Sequence, residues 1–172
     1  MTSSEPPVPS SEEPIGARPV LPSGIQAGIV GGLAVAAVFL VRDVLAGAPM
    51  QTPSVLGTLL VSGPEAARMV VSAPGAAIAF NAIHFAVWIA AGSIGIALMR
   101  QVEESASNWY RPWVAAAVLA LGCVVASLRA SGAGLPQLHL WLGTLVGVAA
   151  MGWFLGWRHP RAMQRIRQMG KE

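Results

Sequence analysis

Long apolar runs dominate the hydrophobic and polar pattern of this chain. Four runs without Asp, Glu, Lys or Arg each approach the roughly 17 to 25 residues that a helix needs to cross a bilayer. Lipid offers the backbone no hydrogen bonds, so each run must form a closed helix. The pattern predicts an all-α polytopic membrane protein, an up-down-up-down bundle of four transmembrane helices. The predicted helices cover approximately residues 24–46, 75–99, 112–128 and 138–157.

The segments outside the runs predict two tails and an outer connection. Residues 1–23 are rich in Pro, Ser and Glu, which predicts a disordered cytoplasmic tail before the transmembrane domain of residues 24–157. Residues 158–172 form a basic cytoplasmic tail. Between the first two runs, Thr52-Pro53 and Ser62-Gly63-Pro64 are typical helix starts. We therefore expect two short interfacial helices in this outer segment.

Composition and charge agree with a membrane protein and predict its orientation. Of the 172 residues 54% are hydrophobic and 11% charged, whereas soluble domains carry about 25% charged residues. With both termini in the cytoplasm, eight of the 11 Lys and Arg residues lie inside, which satisfies the positive-inside rule. The basic C-terminal tail is expected to touch anionic lipid. It carries no interleaved aromatic platform, which disfavours nucleic acid as a partner.

Small residues are spaced for close helix packing. Glycines four residues apart let helix backbones approach in lipid, where packing drives association. We expect these faces to pack against neighbouring helices, a second subunit or a larger membrane complex. The first and fourth runs carry them at Gly24, Gly28, Gly32, Gly143, Gly147, Gly152 and Gly156.

The most chemically suggestive position is His84, on one stripe of the second run with Asn81 and Trp88. Nine residues from Gly75 place it roughly 14 Å deep, near mid-membrane. An intramembrane histidine can ligate haem iron, relay protons or hydrogen-bond a quinone. The structural alternative is a neutral imidazole bonded to Asn81, to a hydroxyl or to a carbonyl of another helix.

A haem would need a second axial ligand at the same depth. His139 lies only about two or three Å below the outer surface by the same helical rise, which leaves a mismatch of roughly 10 Å. We expect His139 to be an interfacial polar residue, and no metal site is predicted. Cofactors are therefore not expected, with haem or quinone near His84 as the alternative.

Charged residues at the outer face offer a further candidate cluster. Arg42 and Asp43 close the first run, and the topology places Arg129 and Arg68 on the same side as Asp43. We expect Asp43 to pair with Arg129 or Arg68. A surface ion pair contributes at most about 1 kcal/mol, so its expected role is to fix helix ends.

Catalytic signatures do not occur in the sequence. It has no H-E-x-x-H, G-x-S-x-G or G-x-x-x-x-G-K motif and a single cysteine, Cys123, in the third run. The sequence favours a small integral membrane accessory or structural protein without catalysis. The first alternative is a redox membrane anchor that binds haem or quinone near His84. The second is a small transporter or a proton path along Asn81, His84 and Trp88.

One resemblance begins at the end of the first run. Residues 43–57 follow the pattern Asp-x-x-x-Gly-x-Pro-x-x-Thr-Pro-Ser-x-Leu-Gly, with His84-Phe85 and Trp157-Arg158-His159-Pro160 further along. Together they resemble a set of small four-helix bacterial integral membrane proteins of unassigned function. The resemblance implies a bacterial cytoplasmic (inner) membrane. It also implies that Asp43, Thr52, Pro53 and His84 belong to a shared pattern, and it carries no activity.

Overall fold

The computed structural model describes residues 20–133 and 135–169, and all regular structure in that part of the chain is helical. A single 3-10 turn, Ala106–Asn108, precedes the fifth helix. The expected disordered tail falls largely on residues 1–19, which lie outside the described residues. The helices are α1 Val20–Leu45, α2 Gln51–Ser62, α3 Pro64–Arg68, α4 Pro74–Glu104, α5 Arg111–Ser131, α6 Gln137–Arg158 and α7 Pro160–Met169.

Four helices, α1, α4, α5 and α6, are long and apolar enough to cross a membrane, which confirms the predicted all-helical class. Each extends somewhat beyond its apolar run. α1 is helical from Val20, the first residue that the structure describes. α4 begins at Pro74, which needs no backbone N–H partner in the first turn, and continues through residues 100–104, four of which are polar.

The long helices are packed unequally. α1 lies against both α4 and α6, and these three helices supply most of the buried side chains, including Val35, Trp88, Ile96 and Leu155. α5 contacts α4 and α6 much less, and Ser127 and Ala130 are its two buried residues. The fold is therefore a tightly packed three-helix core with α5 at its edge.

The outer connection and the C-terminal tail both contain further helices. α2 and α3 are the two short helices expected between the first two runs, and α2 packs along α4. The basic tail carries α7, which the sequence analysis did not predict. Its apolar side chains Ala162 and Ile166 are buried, and Arg165 Nη1 donates to the Val102 carbonyl of α4 at 3.1 Å. The part of the C-terminal tail that forms α7 therefore packs against α4.

Candidate functional site

The glycines of α1 face the backbone of α4. A Cβ on Gly24 would lie 2.6 Å from the Ser93 Cα, one on Gly28 would meet the Ile89 backbone, and one on Gly32 would lie 3.0 Å from the Phe85 ring. Gly92 of α4 faces the same stretch of α1 from the opposite side. Only glycine permits this approach, so the expected small-residue face of α1 is used within the chain.

The glycines of α6 divide into two groups. Gly143 faces the Phe39 ring and Gly147 faces Val35 and Trp88, so both contribute to the core. Gly156 faces Met163 of α7, and Gly152 has no atom within 4 Å of an added Cβ. The N-terminal half of this face therefore packs on α1, whereas Gly152 lies at the surface of the chain.

Asp43 forms a buried polar junction between α1 and α2. Its side chain is only 1% exposed. Oδ2 accepts the Thr52 backbone N–H at 2.6 Å, and Oδ1 accepts the Thr52 hydroxyl at 2.7 Å and Arg42 Nη1 at 2.8 Å. Thr52 is the second residue of α2, where a backbone N–H has no partner within its own helix. Asp43 therefore caps α2 from the preceding helix.

This junction differs from the two sequence expectations for the segment. No ion pair joins Asp43 to Arg129 or Arg68 within the described part of the chain. Arg68 instead pairs with Glu65 at 3.3 Å and donates to the Gly132 carbonyl at 2.7 Å. The Thr52 hydroxyl does not cap its own helix, because α2 begins one residue earlier and the hydroxyl donates to Asp43. The expected pairing of Asp43 with Arg129 or Arg68 was wrong, because the turn after α1 brings Thr52 back to Asp43 and Arg42 supplies the paired charge.

The turn itself has unusual backbone geometry. Gly47 and Met50 have φ values of 69° and 73°, in the left-handed region that disfavours residues with a Cβ. The Asp43 carbonyl accepts the Ala48 N–H at 2.9 Å. Asp43 thus bonds to Ala48 before Met50 and to Thr52 after it. We infer that these bonds hold Met50 in a conformation that it would otherwise rarely adopt.

His84 bridges α4 and α1. Its Nε2 donates to the Gly32 carbonyl at 3.2 Å, an instance of the structural alternative considered for this residue. This bond requires a proton on Nε2 and leaves Nδ1 as an acceptor in the neutral ring. Phe80 stacks on the imidazole with ring centroids 5.5 Å apart, and Phe85 and Trp88 form T-shaped pairs with it at centroid distances of 5.4 and 6.2 Å.

The three candidate residues of the stripe on α4, Asn81, His84 and Trp88, differ in their contacts. Trp88 contacts His84 and is buried, whereas Asn81 is half-buried and makes no hydrogen bond to His84 within the described structure. Within the described part of the chain, no continuous series of hydrogen bonds joins these three residues.

A cavity of about 270 Å³ adjoins His84. A dry cavity of about 150 Å³ holds benzene, so this volume suits a substituted ring or a short aliphatic chain and is small for a haem macrocycle. Its walls are mainly apolar. Three polar side chains that the sequence analysis did not join to His84 also line it: Cys123, Ser127 and Thr144.

Two of these polar side chains form a contact between α5 and α6. Thr144 of α6 lies beside the Cys123 thiol of α5, and its Oγ1 donates to the Leu140 carbonyl at 2.9 Å. The spacing of Cys123 and Ser127, one helical turn apart, was the available sequence signal for a polar face on α5. Only packing of α5 against α6 shows that this face meets His84.

His139 lies apart from this cavity. It is half-buried in the first turn of α6, and its Nδ1 is buried without a hydrogen-bond partner among the described residues. It does not line the cavity at His84. Nor do three or more His, Cys, Asp or Glu side chains converge anywhere in residues 20–133 and 135–169 in a way that could hold a metal ion.

Comparisons with protein-family models, with curated proteins and with solved structures found no match for this chain. The resemblance to small bacterial membrane proteins therefore stays a prediction. The Asp43–Thr52 and His84 contacts nevertheless fall on residues of that pattern.

Proposed function

We propose that the protein is a small non-catalytic accessory or structural protein of a bacterial cytoplasmic membrane, with four spanning helices and both termini inside. Contact series support the up-down arrangement. Along α1 the facing residues of α4 run backwards from Ser93 to Phe85, and Val35 and Phe39 face Gly147 and then Gly143 of α6. α1 is thus antiparallel to both, as alternating spans require.

The observation that carries the accessory role is the contrast between the core and α5. Glycine contacts fix α1 against α4 and α6, so these packing faces are already occupied. α5 keeps a broad apolar surface with few contacts inside the chain. A helix of this kind can pack against a second copy or a larger membrane complex. The large apolar side chains that α5 exposes are Trp113, Val114, Val118, Leu121, Val125 and Leu128.

Topology and association can be tested separately. In a Cys123→Ala background, single cysteines at Ser62 and Ser107 should react with a membrane-impermeant thiol reagent from opposite sides of the membrane. For association, Val118→Trp on the exposed face of α5 should weaken self-association or subunit co-purification, with Ile94→Trp as an exposed control on α4. A protein that stays monomeric and alone in mild detergent would refute the accessory role.

A second candidate, a redox anchor, is favoured by the His84 cavity. With Nε2 committed to Gly32, Nδ1 can accept a hydrogen bond from the hydroxyl of a quinol. A reduced-minus-oxidised spectrum tests for haem, and extraction of bound quinone from the native and His84→Ala proteins tests for quinol. Absence of both compounds from the native protein would remove this candidate.

A further inference from the structure

A second cavity continues the one at His84 toward the end of α5. It has a volume of about 530 Å³ and lies between α2, α4 and α5. Leu56, Phe80, Ala126 and Ala130 line both cavities, so the two are adjacent along a shared wall. Together they form a groove, here called the α5 groove, that runs from Arg129 to the level of Leu119.

The length of the α5 groove matches one leaflet. Ten residues separate Arg129 from Leu119, which corresponds to about 15 Å along a helix. This is half of the roughly 30 Å hydrocarbon core of a bilayer. Apart from Arg129, the walls of the outer cavity are apolar side chains and Pro64, which suit a hydrocarbon chain.

The mouth of the α5 groove carries an uncompensated positive charge. Arg129 is exposed and lies in the last turn of α5. Within the described part of the chain it has no ion pair, in contrast to Arg42 and Arg68, which lie on the same side of the proposed topology. A guanidinium at headgroup level favours a phosphate or carboxylate.

We propose that the α5 groove binds one acyl chain of an anionic phospholipid from the outer leaflet, with the headgroup on Arg129 and the chain extending toward His84. α2 covers the chain through Leu56, Leu59 and Leu60. This inference rests on the proposed membrane insertion but not on the accessory role. A lipid chain in the α5 groove completes the contacts that protein side chains leave open on the side of α5 that lines the groove, and it leaves the exposed face of Val114 and Val118 free for a partner.

The test uses the full chain in nanodiscs of phosphatidylcholine that contain phosphatidylglycerol. Native mass spectrometry then counts the lipids retained. The native protein should retain one phosphatidylglycerol in preference to phosphatidylcholine, and Arg129→Gln should reduce that preference about fivefold. The matched control is Arg111→Gln, at the opposite end of α5, where Arg111 bonds to Gln101. It should retain phosphatidylglycerol as the native protein does.

A second variant tests the chain rather than the headgroup. Ala126→Phe fills the wall shared by the two cavities and should abolish retention of both lipids, with helicity by circular dichroism as the folding check. Cys123 lines the groove, so the rate at which its thiol is modified gives an independent measure of lipid binding without a substitution in the groove wall. Phosphatidylglycerol should slow its reaction with N-ethylmaleimide in the native protein and do so less in Arg129→Gln.

Several results would overturn the proposal. They are equal phosphatidylglycerol retention by native and Arg129→Gln proteins, an equal loss in Arg111→Gln, or unchanged Cys123 reactivity when phosphatidylglycerol is added. Selective retention of a quinone in place of lipid would do the same. Failure to enter nanodiscs would also refute the membrane function itself, whereas insertion without lipid retention refutes the groove alone.

Discussion

The buried junction between Asp43 and Thr52 makes a quantitative prediction about stability. Asp43 is fully buried and accepts three hydrogen bonds of 2.6 to 2.8 Å. Thr52→Val removes the hydroxyl while it keeps the shape and the backbone N–H. The lost bond is to a charged group, so we expect the free energy of unfolding to fall by about 1.5 to 3 kcal/mol.

Asp43→Asn should cost more. The amide keeps one acceptor oxygen, but it loses the charge that pairs with Arg42 and places an NH₂ group beside other donors. Breaking a buried pair typically costs about 3 to 5 kcal/mol. The Arg42 side chain is 22% exposed and can recover some hydration, so the lower end of that range is expected.

A double-mutant cycle isolates the contact itself. Unfolding is followed by circular dichroism during titration of mixed micelles with SDS, for the two single variants and the double variant. The double variant should lose less stability than the sum of the singles, by about 1.5 kcal/mol or more. Glu65→Gln, which changes an exposed carboxylate, is the control and should change stability by at most about 1 kcal/mol. Additivity within about 0.5 kcal/mol would refute the junction.

Three further predictions follow from the packing. Gly28→Leu should lower the free energy of unfolding by about 1 to 3 kcal/mol or more in the same titration, because the new side chain would meet the α4 backbone. Gly152→Leu is the control and should change this free energy little. Equal losses in the two variants would contradict the packing described. His84→Phe should cost only about 0.6 to 2 kcal/mol, the usual range for an interhelical hydrogen bond in a membrane, and a larger loss would indicate a further role. Ile166→Ala should speed hydrogen exchange in α7 without altering exchange in α4, and unchanged exchange in α7 would mean that the helix is not held by this contact.

The sequence by itself determined the four long helices, because an apolar environment would leave the backbone of runs of this length no partner other than its own helix. It also indicated the two short helices after α1 and the glycine faces. These features depend on local composition and spacing, which a single sequence displays directly.

Tertiary structure alone decided which groups meet. Asp43 was expected at the surface with a distant arginine, but the turn through Gly47 and Met50 returns the chain so that Thr52 reaches it first. α7 was not expected, since its burial depends on the end of α4, far away in sequence. His84 lies with Cys123 and Thr144 only because α4, α5 and α6 surround one cavity. Helix formation is local, whereas the choice among apolar faces depends on contacts between residues far apart in the chain, and abundant Gly and Ala leave those faces nearly alike in sequence.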